Sequence, residues 1–266
     1  MFEILGYVGA LFIGLTLGLT GGGGSILTVP LLVYLFNVTP VTATAYSLFI
    51  VGLTSLIGAA AYMNKKMVSF LTALIFATPA FITVYLTRKF IIPAIPPELF
   101  SIGSLTVSKD MFIMVLFALL MLAASVSMIK PGKNDEVKGE IIFNYPMIII
   151  EGTVVGFLTG LVGAGGGFLI IPALVILANL PMKMAVGTSL LIIAVNSLIG
   201  FVGDVTGDII INWQLIAVIS FLAIVGILIG SYLSKFIPGK KLKPAFGWLV
   251  FVMGIYIIGK EILIKI

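Results

Sequence analysis

Two glycine runs interrupt apolar segments that would otherwise form continuous helices. The first is GGGGS, Gly21–Ser25, and the second is GAGGG, Gly163–Gly167. Glycine in a helix costs about 1 kcal/mol per residue relative to alanine, so each run predicts a break in the backbone. The short helix after each break would direct unpaired N–H groups and the positive end of its dipole towards the break, which favours binding of an anion. A tight turn without a ligand is the alternative.

The two runs are equivalent parts of an internal repeat. Gly14–Val38 aligns without a gap with Gly156–Leu180, and Ala43–Gly58 aligns with Ala185–Gly200 at the same offset. Such duplication is common among secondary transporters. The sequence therefore predicts a single integral membrane domain with three parts. These are a first transmembrane repeat at 1–129, a polar cytoplasmic linker at 130–144 and a second transmembrane repeat at 145–266.

Short polar side chains recur at equivalent positions in the segment that follows each glycine run. Ser47 aligns with Ser189, and Thr54 aligns with Asn196. A buried amide in a membrane span needs several hydrogen-bond partners, although hydroxyls there often bond to the preceding turn or to a neighbouring helix. We predict that these side chains face the breaks and complete a substrate-binding site. Its residues are Gly21, Gly22, Gly23, Gly24, Ser25, Ser47, Gly163, Ala164, Gly165, Gly166, Gly167, Ser189 and Asn196.

The residue types that are absent exclude several classes of chemistry. The chain has no cysteine and no histidine, which excludes disulfides, thiolate catalysis, histidine-dependent triads and most transition-metal sites. No basic residue lies near the middle of a predicted span, and the acidic residues Glu3, Glu151 and Asp204 are expected near span ends rather than buried. We therefore predict no catalytic residue, no metal ion and no cofactor. The sequence names no carrier for a coupled proton or sodium ion.

Composition predicts an all-α polytopic membrane protein. Of its 266 residues, 61% are hydrophobic and 9% are charged, whereas soluble domains carry about 25% charged residues. Uncharged runs of about 20 residues, the length that spans a bilayer, recur along the chain. The scattered lysines fit loops between spans and argue against a nucleic-acid partner. Each half is predicted to have five apolar elements, at about 4–20, 25–36, 42–63, 67–88 and 110–129, and at about 147–162, 167–178, 184–203, 212–234 and 244–262.

The second element of each half is too short to cross the bilayer core. We interpret it as a half-helix behind a glycine break, which gives roughly 8–10 membrane helices including two broken hairpins. Unwound backbone at that depth is tolerated where it is buried in protein or lines a polar cavity.

The distribution of lysines predicts the orientation of the two halves. Lys65 and Lys66 follow the third element of the first half, whereas Asp204 and Asp208 follow the third element of the second. If the lysine-rich loops are cytoplasmic, both termini are extracytoplasmic and the repeats are inverted, so that the two breaks can meet near the middle of the membrane. The alternative is four spans per half with parallel repeats, which places loops of opposite charge on the same side.

The glycine motifs, GGGGS and GAGGG, are followed by Pro30 and Pro172 and then by an A-x-A/G-x-S-L segment. In these features, and across essentially the whole chain, the sequence resembles the TauE/SafE family, also called the sulfite exporter or TSUP family. The resemblance implies a multi-span secondary transporter of small sulfur-containing or organic anions, such as sulfite, sulfoacetate or related sulfonates. It also points to the glycines of both motifs, with Ser25, Ser47 and Ser189.

These observations together predict an exporter of a small anion in the cell (inner or plasma) membrane. Alternating access would occur around the central glycine site. The expected partners are the anionic substrate, the lipid bilayer and, if transport is coupled, a proton or a sodium ion. An anion channel that uses the paired loops as a filter is the alternative. An intramembrane enzyme is disfavoured, because the sequence places no paired carboxylates near the midplane.

Overall fold

The computed structural model describes residues 2–102, 105–129, 145–176, 180–206, 211–234, 236 and 239–263. Within these residues the chain forms ten α-helices and one small hairpin. The first half contains α1 (Phe2–Thr20), α2 (Thr28–Leu35), α3 (Pro40–Met63), α4 (Phe70–Leu86) and α5 (Lys109–Ile129). The second half contains α6 (Tyr145–Val162), α7 (Gly167–Ile176), α8 (Met182–Val205), α9 (Trp213–Leu233) and α10 (Gly239–Leu263).

Five short elements complete the described part of the first half. A 3₁₀ helix, Gly23–Leu27, joins the first glycine run to α2. A π-helical turn, Thr87–Ile91, and one further turn, Ile92–Ala94, continue α4. Between α4 and α5, strands β1 (Glu98–Ile102) and β2 (Leu105–Ser108) pair antiparallel, with Glu98 opposite Ser108.

Several of these helices are long and apolar enough to cross a membrane. Among the described residues five qualify by length and composition, and they include α3, α4 with its extension, α8 and α9. The helices α2 and α7 are much shorter, at 8 and 10 residues, so they fall well below the roughly 20 residues that span a bilayer. The predicted all-α polytopic membrane protein is confirmed, and the chain is an integral, multi-pass membrane protein.

The helix contacts follow the internal repeat. The helix α1 packs on α9, and its equivalent α6 packs on α4, the equivalent of α9. The pairs α3–α8 and α5–α10 each join equivalent helices. Exchange of the two halves therefore maps the main helix contacts onto one another.

Equivalent helices cross in opposite directions. Leu48, near the start of α3, contacts the position of Gly200, near the end of α8, while Gly58 contacts the position of Leu190. The order of contacts along one helix is thus the reverse of that along the other. The helices α3 and α8 are antiparallel.

Glycines allow the outer helix pairs to approach closely. A Cβ on Gly18 of α1 would lie 2.5 Å from the carbonyl oxygen of Ile227 in α9, and one on Gly160 of α6 would lie 2.7 Å from Cβ of Thr87. In lipid, helix association depends on such close packing between small residues. These small-residue positions therefore serve close packing of the helices.

Candidate functional site

Both glycine runs break the helix at the same place in the repeat. The helix α1 ends at Thr20 and α6 ends at Val162. The next residues, Gly21 and Gly163, have φ values of +78° and +71°, a left-handed conformation that glycine adopts without steric cost. The predicted breaks are therefore present in both halves.

The two breaks differ in how the chain continues. After the first break the chain forms the 3₁₀ helix Gly23–Leu27 before α2 begins at Thr28. After the second break, α7 begins directly at Gly167. The half-helix predicted near Ser25 is present as the continuous helical segment Gly23–Leu35, whose first turn is 3₁₀. The half-helix predicted near Gly167 is confirmed.

The two breaks touch each other through their backbones. A Cβ on Gly22 would lie 2.6 Å from the carbonyl oxygen of Gly167 and 2.8 Å from its Cα. The backbone of Gly22 has a φ of 178°, which any residue adopts, so glycine is needed here for close approach. The structure therefore brings the two predicted halves of the site into direct contact.

The contact between the two breaks lies beside the midpoints of two helices, α3 and α8, which are called the central helices. A Cβ on Gly165 would lie 2.8 Å from Val51 of α3, 3.0 Å from Ile193 of α8 and 3.0 Å from Oγ of Ser197. Val51 and Ile193 are at the middle of their helices, which run for 24 residues each. The meeting point of the breaks is therefore central in the protein.

Hydrogen bonds from both halves hold the first break. Oγ of Ser189 donates to the carbonyl oxygens of Gly21 and Val186, each at 2.8 Å. Oγ of Ser25 donates to the carbonyl of Gly22 at 2.7 Å, and the N–H of Gly23 donates to Oγ1 of Thr20 at 3.2 Å. The amide of Gly23 is thus already paired, contrary to the expectation of free N–H groups throughout the run.

Several buried polar atoms near the breaks have no hydrogen-bond partner among the described residues. They are Oγ of Ser47, Oγ of Ser197, and both Nδ2 and Oδ1 of Asn196, whose residues are fully buried. Asn196 shares one face of α8 with Ser189 and Ile193, which contact the breaks, because residues three and four apart align on a helix. An unpaired buried polar group costs about 1–3 kcal/mol, so these atoms are suited to a polar ligand.

The remaining predicted positions lie in the same buried region. Each of the following residues is buried: Gly21, Gly22, Gly23, Gly24, Ser25, Gly163, Ala164, Gly165, Gly166 and Gly167. Ala164 belongs to the apolar core beside the second break. All of the predicted site residues are thus buried, and the two breaks that contain most of them are in contact.

The equivalent serines give a matched test of this geometry. Ser189→Ala removes the hydrogen bond to Gly21, so we expect the free energy of unfolding to fall by about 1 kcal/mol. Ser47→Ala removes a hydroxyl that has no partner, so stability should stay the same or rise. Thermal unfolding of the two purified variants in detergent measures the difference, and equal destabilisation by both would contradict it.

One charged pair was missed by sequence reasoning. Arg88, in the π turn of α4, is 1% exposed, and Asp204, near the end of α8, is 4% exposed. Nη1 of Arg88 lies 3.4 Å from Oδ2 of Asp204 and donates to Oγ1 of Thr44 at 2.9 Å. The expectation that Asp204 is interfacial is wrong, because tertiary packing of α3, α4 and α8 encloses the pair. A charged residue directly after a long apolar run was the available signal, but span ends that face water give the same signal.

Over most of its length the chain is similar to a family of membrane proteins and to probable membrane transporter proteins. Residues 6–257 match the family described as sulfite exporter TauE/SafE. A probable membrane transporter protein of Xylella fastidiosa strain Temecula1 is 31% identical over 94% of this chain and 92% of its own. The probable membrane transporter protein YunE of Bacillus subtilis strain 168 is 32% identical over 80% of this chain and 81% of its own. No solved structure matches the chain significantly. The repeated glycine breaks, the helical membrane fold and this similarity together show that the chain belongs to the TauE/SafE family of membrane transporters.

Proposed function

We propose that the protein is a secondary transporter, and an exporter, of small sulfur-containing or organic anions such as sulfite or sulfonates. The observation that carries the proposal is the contact between the two glycine breaks, at Gly22 and Gly167, halfway along the central helices. A buried donor without a partner among the described residues, Oγ of Ser197, would lie 3.0 Å from a Cβ on Gly165 in the second break. The family's description as a sulfite exporter supports the substrate class.

An oxyanion suits the groups that border the meeting point. Oγ of Ser47, Oγ of Ser197 and Nδ2 of Asn196 are neutral hydrogen-bond donors, and each is buried without a partner among the described residues. Backbone amides of the breaks supply further donors where they are not already paired. A small anion bound here would exchange its hydration shell for fixed donors, as transporter sites near the midplane do.

Alternating access is proposed to come from rocking of two inverted repeats, residues 1–129 and 145–266, around this site. The antiparallel crossing of the equivalent helices α3 and α8 supports inversion, because two spans of one repeat type then run in opposite directions through the membrane. The lysine distribution supports cytoplasmic placement of the linker and extracytoplasmic termini in the inner or plasma membrane.

Flux into proteoliposomes tests the proposal. Purified protein is reconstituted, and uptake of sulfite, thiosulfate, small sulfonates, sulfate and acetate is followed with and without a pH gradient. A transporter predicts saturable uptake of at least one sulfur-containing or organic anion, and a response to the gradient would identify proton coupling. Unsaturable currents far above transporter rates would favour the channel alternative, and no flux from folded protein would contradict both.

Asn196 gives a prediction for substrate affinity. Asn196→Leu removes two polar atoms that have no protein partner, so we expect KM for the transported anion to rise about tenfold without loss of stability. Asn212→Ala is the matched control, because Oδ1 of Asn212 caps α9 by accepting from the N–H of Leu215 at 3.0 Å. That variant should lose about 1 kcal/mol of stability and keep its KM. An unchanged KM in Asn196→Leu would remove Asn196 from the site.

A further inference from the structure

We propose that Arg88 is a second anion-binding residue of the transport pathway, on one side of the central site, and that Asp204 is its counter-ion when no substrate is bound. The inference rests on the proposed function. It adds a fixed positive charge to a site that otherwise consists of neutral donors.

Arg88 has unused hydrogen-bonding capacity. Its side chain is fully enclosed, and its polar contacts in the described part of the chain are made by Nη1, to Thr44 and Asp204. Its Nε and Nη2 have no partner among those residues. A buried guanidinium with unpaired N–H groups is costly unless another group pairs with it.

The free edge of Arg88 has the geometry that oxyanions prefer. The N–H groups on Nε and Nη2 form a planar fork that can donate hydrogen bonds to two oxygens of one sulfonate, sulfite or carboxylate group. Asp204 approaches the other side of the guanidinium, at 3.4 Å from Nη1, and its Oδ2 forms no hydrogen bond. The ion pair therefore balances the charge of the guanidinium and leaves the two N–H groups of the fork without a hydrogen-bond partner among the described residues.

Thr44 connects Arg88 to the second glycine break. Oγ1 of Thr44 accepts from Arg88, and Cβ of Thr44 lies 2.5 Å from where a Cβ on Gly163 would stand. Along α3, Thr44 precedes Val51 by two helical turns, about 10 Å, and Val51 faces Gly165. An anion bound to Arg88 would thus lie about two helical turns from the central site, along the same face of α3.

The backbone at Arg88 departs from regular helix. Arg88 lies in the π turn Thr87–Ile91, and single π turns within helices occur often at functional sites. The equivalent positions in the other half are Gly230 for Arg88 and Tyr62 for Asp204, and Tyr62 instead donates its hydroxyl to the carbonyl of Gly18 at 3.3 Å. The charged pair therefore occurs at one of the two equivalent places in the repeat, so the two sides of the proposed pathway differ chemically.

Transport kinetics of three variants test the inference, with sulfite as the probe in proteoliposomes. Arg88→Lys keeps the charge but removes the fork, so KM should rise roughly tenfold or more. Asp204→Asn removes the competing negative charge, so KM should fall several-fold. Lys89→Gln is the matched control, because Lys89 is exposed and bonds to the hydroxyl of Tyr85, and its KM should equal that of the wild type.

The outcomes separate this inference from the proposed function. If wild-type flux is saturable and KM is unchanged in both Arg88→Lys and Asp204→Asn, Arg88 does not bind the anion. The proposal for the central site is unaffected by that result. A lower KM in Asp204→Asn supports the inference even if Arg88→Lys fails to fold, because misfolding does not increase affinity. Absence of wild-type flux for every anion tested would overturn the proposed function and this inference with it.

Discussion

Replacement of Gly22 by valine should reduce the rate of anion transport about a hundredfold while the protein remains folded in the membrane. The first added carbon would lie 2.6 Å from the carbonyl oxygen of Gly167 and 2.7 Å from its carbonyl carbon, so the two breaks must separate. Backbone atoms, unlike the end of a flexible side chain, cannot move aside alone. A displacement of this size at a binding centre is expected to reduce the rate by about a hundredfold, as measured by flux at equal reconstituted amounts.

Gly254→Ala is the matched control for this variant. Gly254 lies in α10, and its added carbon would lie 3.0 Å from Cδ2 of Leu122, the end of a flexible side chain. We therefore expect normal flux and a normal elution profile in detergent. Wild-type flux in Gly22→Val would show that the contact between the breaks is not part of the pathway.

Arg88→Leu should have the largest effect on stability. It leaves Asp204 in a buried position without its positive partner, and loss of one member of a buried ion pair costs about 3–5 kcal/mol. The double variant Arg88→Leu/Asp204→Leu should recover most of this loss, because replacement of both charges removes the uncompensated one. Thermal unfolding of purified proteins in detergent measures both.

The comparison with the double variant decides the interpretation. Equal losses in the single and double variants would mean that packing around α4 and α8, rather than charge compensation, determines the effect. A single variant as stable as the wild type would mean that Asp204 carries no uncompensated charge in the folded protein.

The helices and the breaks could be predicted because their signals are local. The length of each apolar run determines where a span begins and ends, so the predicted element at 42–63 closely matches α3, Pro40–Met63. Glycine runs at equivalent positions likewise predicted both interruptions. The 3₁₀ helix Gly23–Leu27 could not be predicted, because the same glycines permit several tight backbone paths and tertiary contacts select one.

The Arg88–Asp204 pair shows what local signals cannot supply. Both residues follow long apolar runs, where water-facing charges are also usual. Their burial depends on packing between α3, α4 and α8, which brings together residues far apart in the chain. The sequence therefore predicted a central site of neutral donors and gave no distinct signal of the buried cation Arg88.

Equivalent positions of the two repeats also make different hydrogen bonds in the folded chain. Ser47 and Ser189 are equivalent, yet Ser189 binds the carbonyl of Gly21 while Oγ of Ser47 has no partner among the described residues. The two halves hold their breaks differently in this conformation. Such inequivalence agrees with the proposed transport cycle, in which the halves exchange arrangements between the two access states.

The most direct measurement of the central claim is equilibrium binding of sulfite and a small sulfonate to purified wild type, Gly22→Val and Gly254→Ala. If the anion binds where the two breaks meet, the wild type and Gly254→Ala bind with the same affinity and Gly22→Val binds at least about tenfold more weakly, a loss of roughly 1.4 kcal/mol. Binding of equal affinity by all three proteins would contradict the claim, because the anion would then be held away from the contact between Gly22 and Gly167.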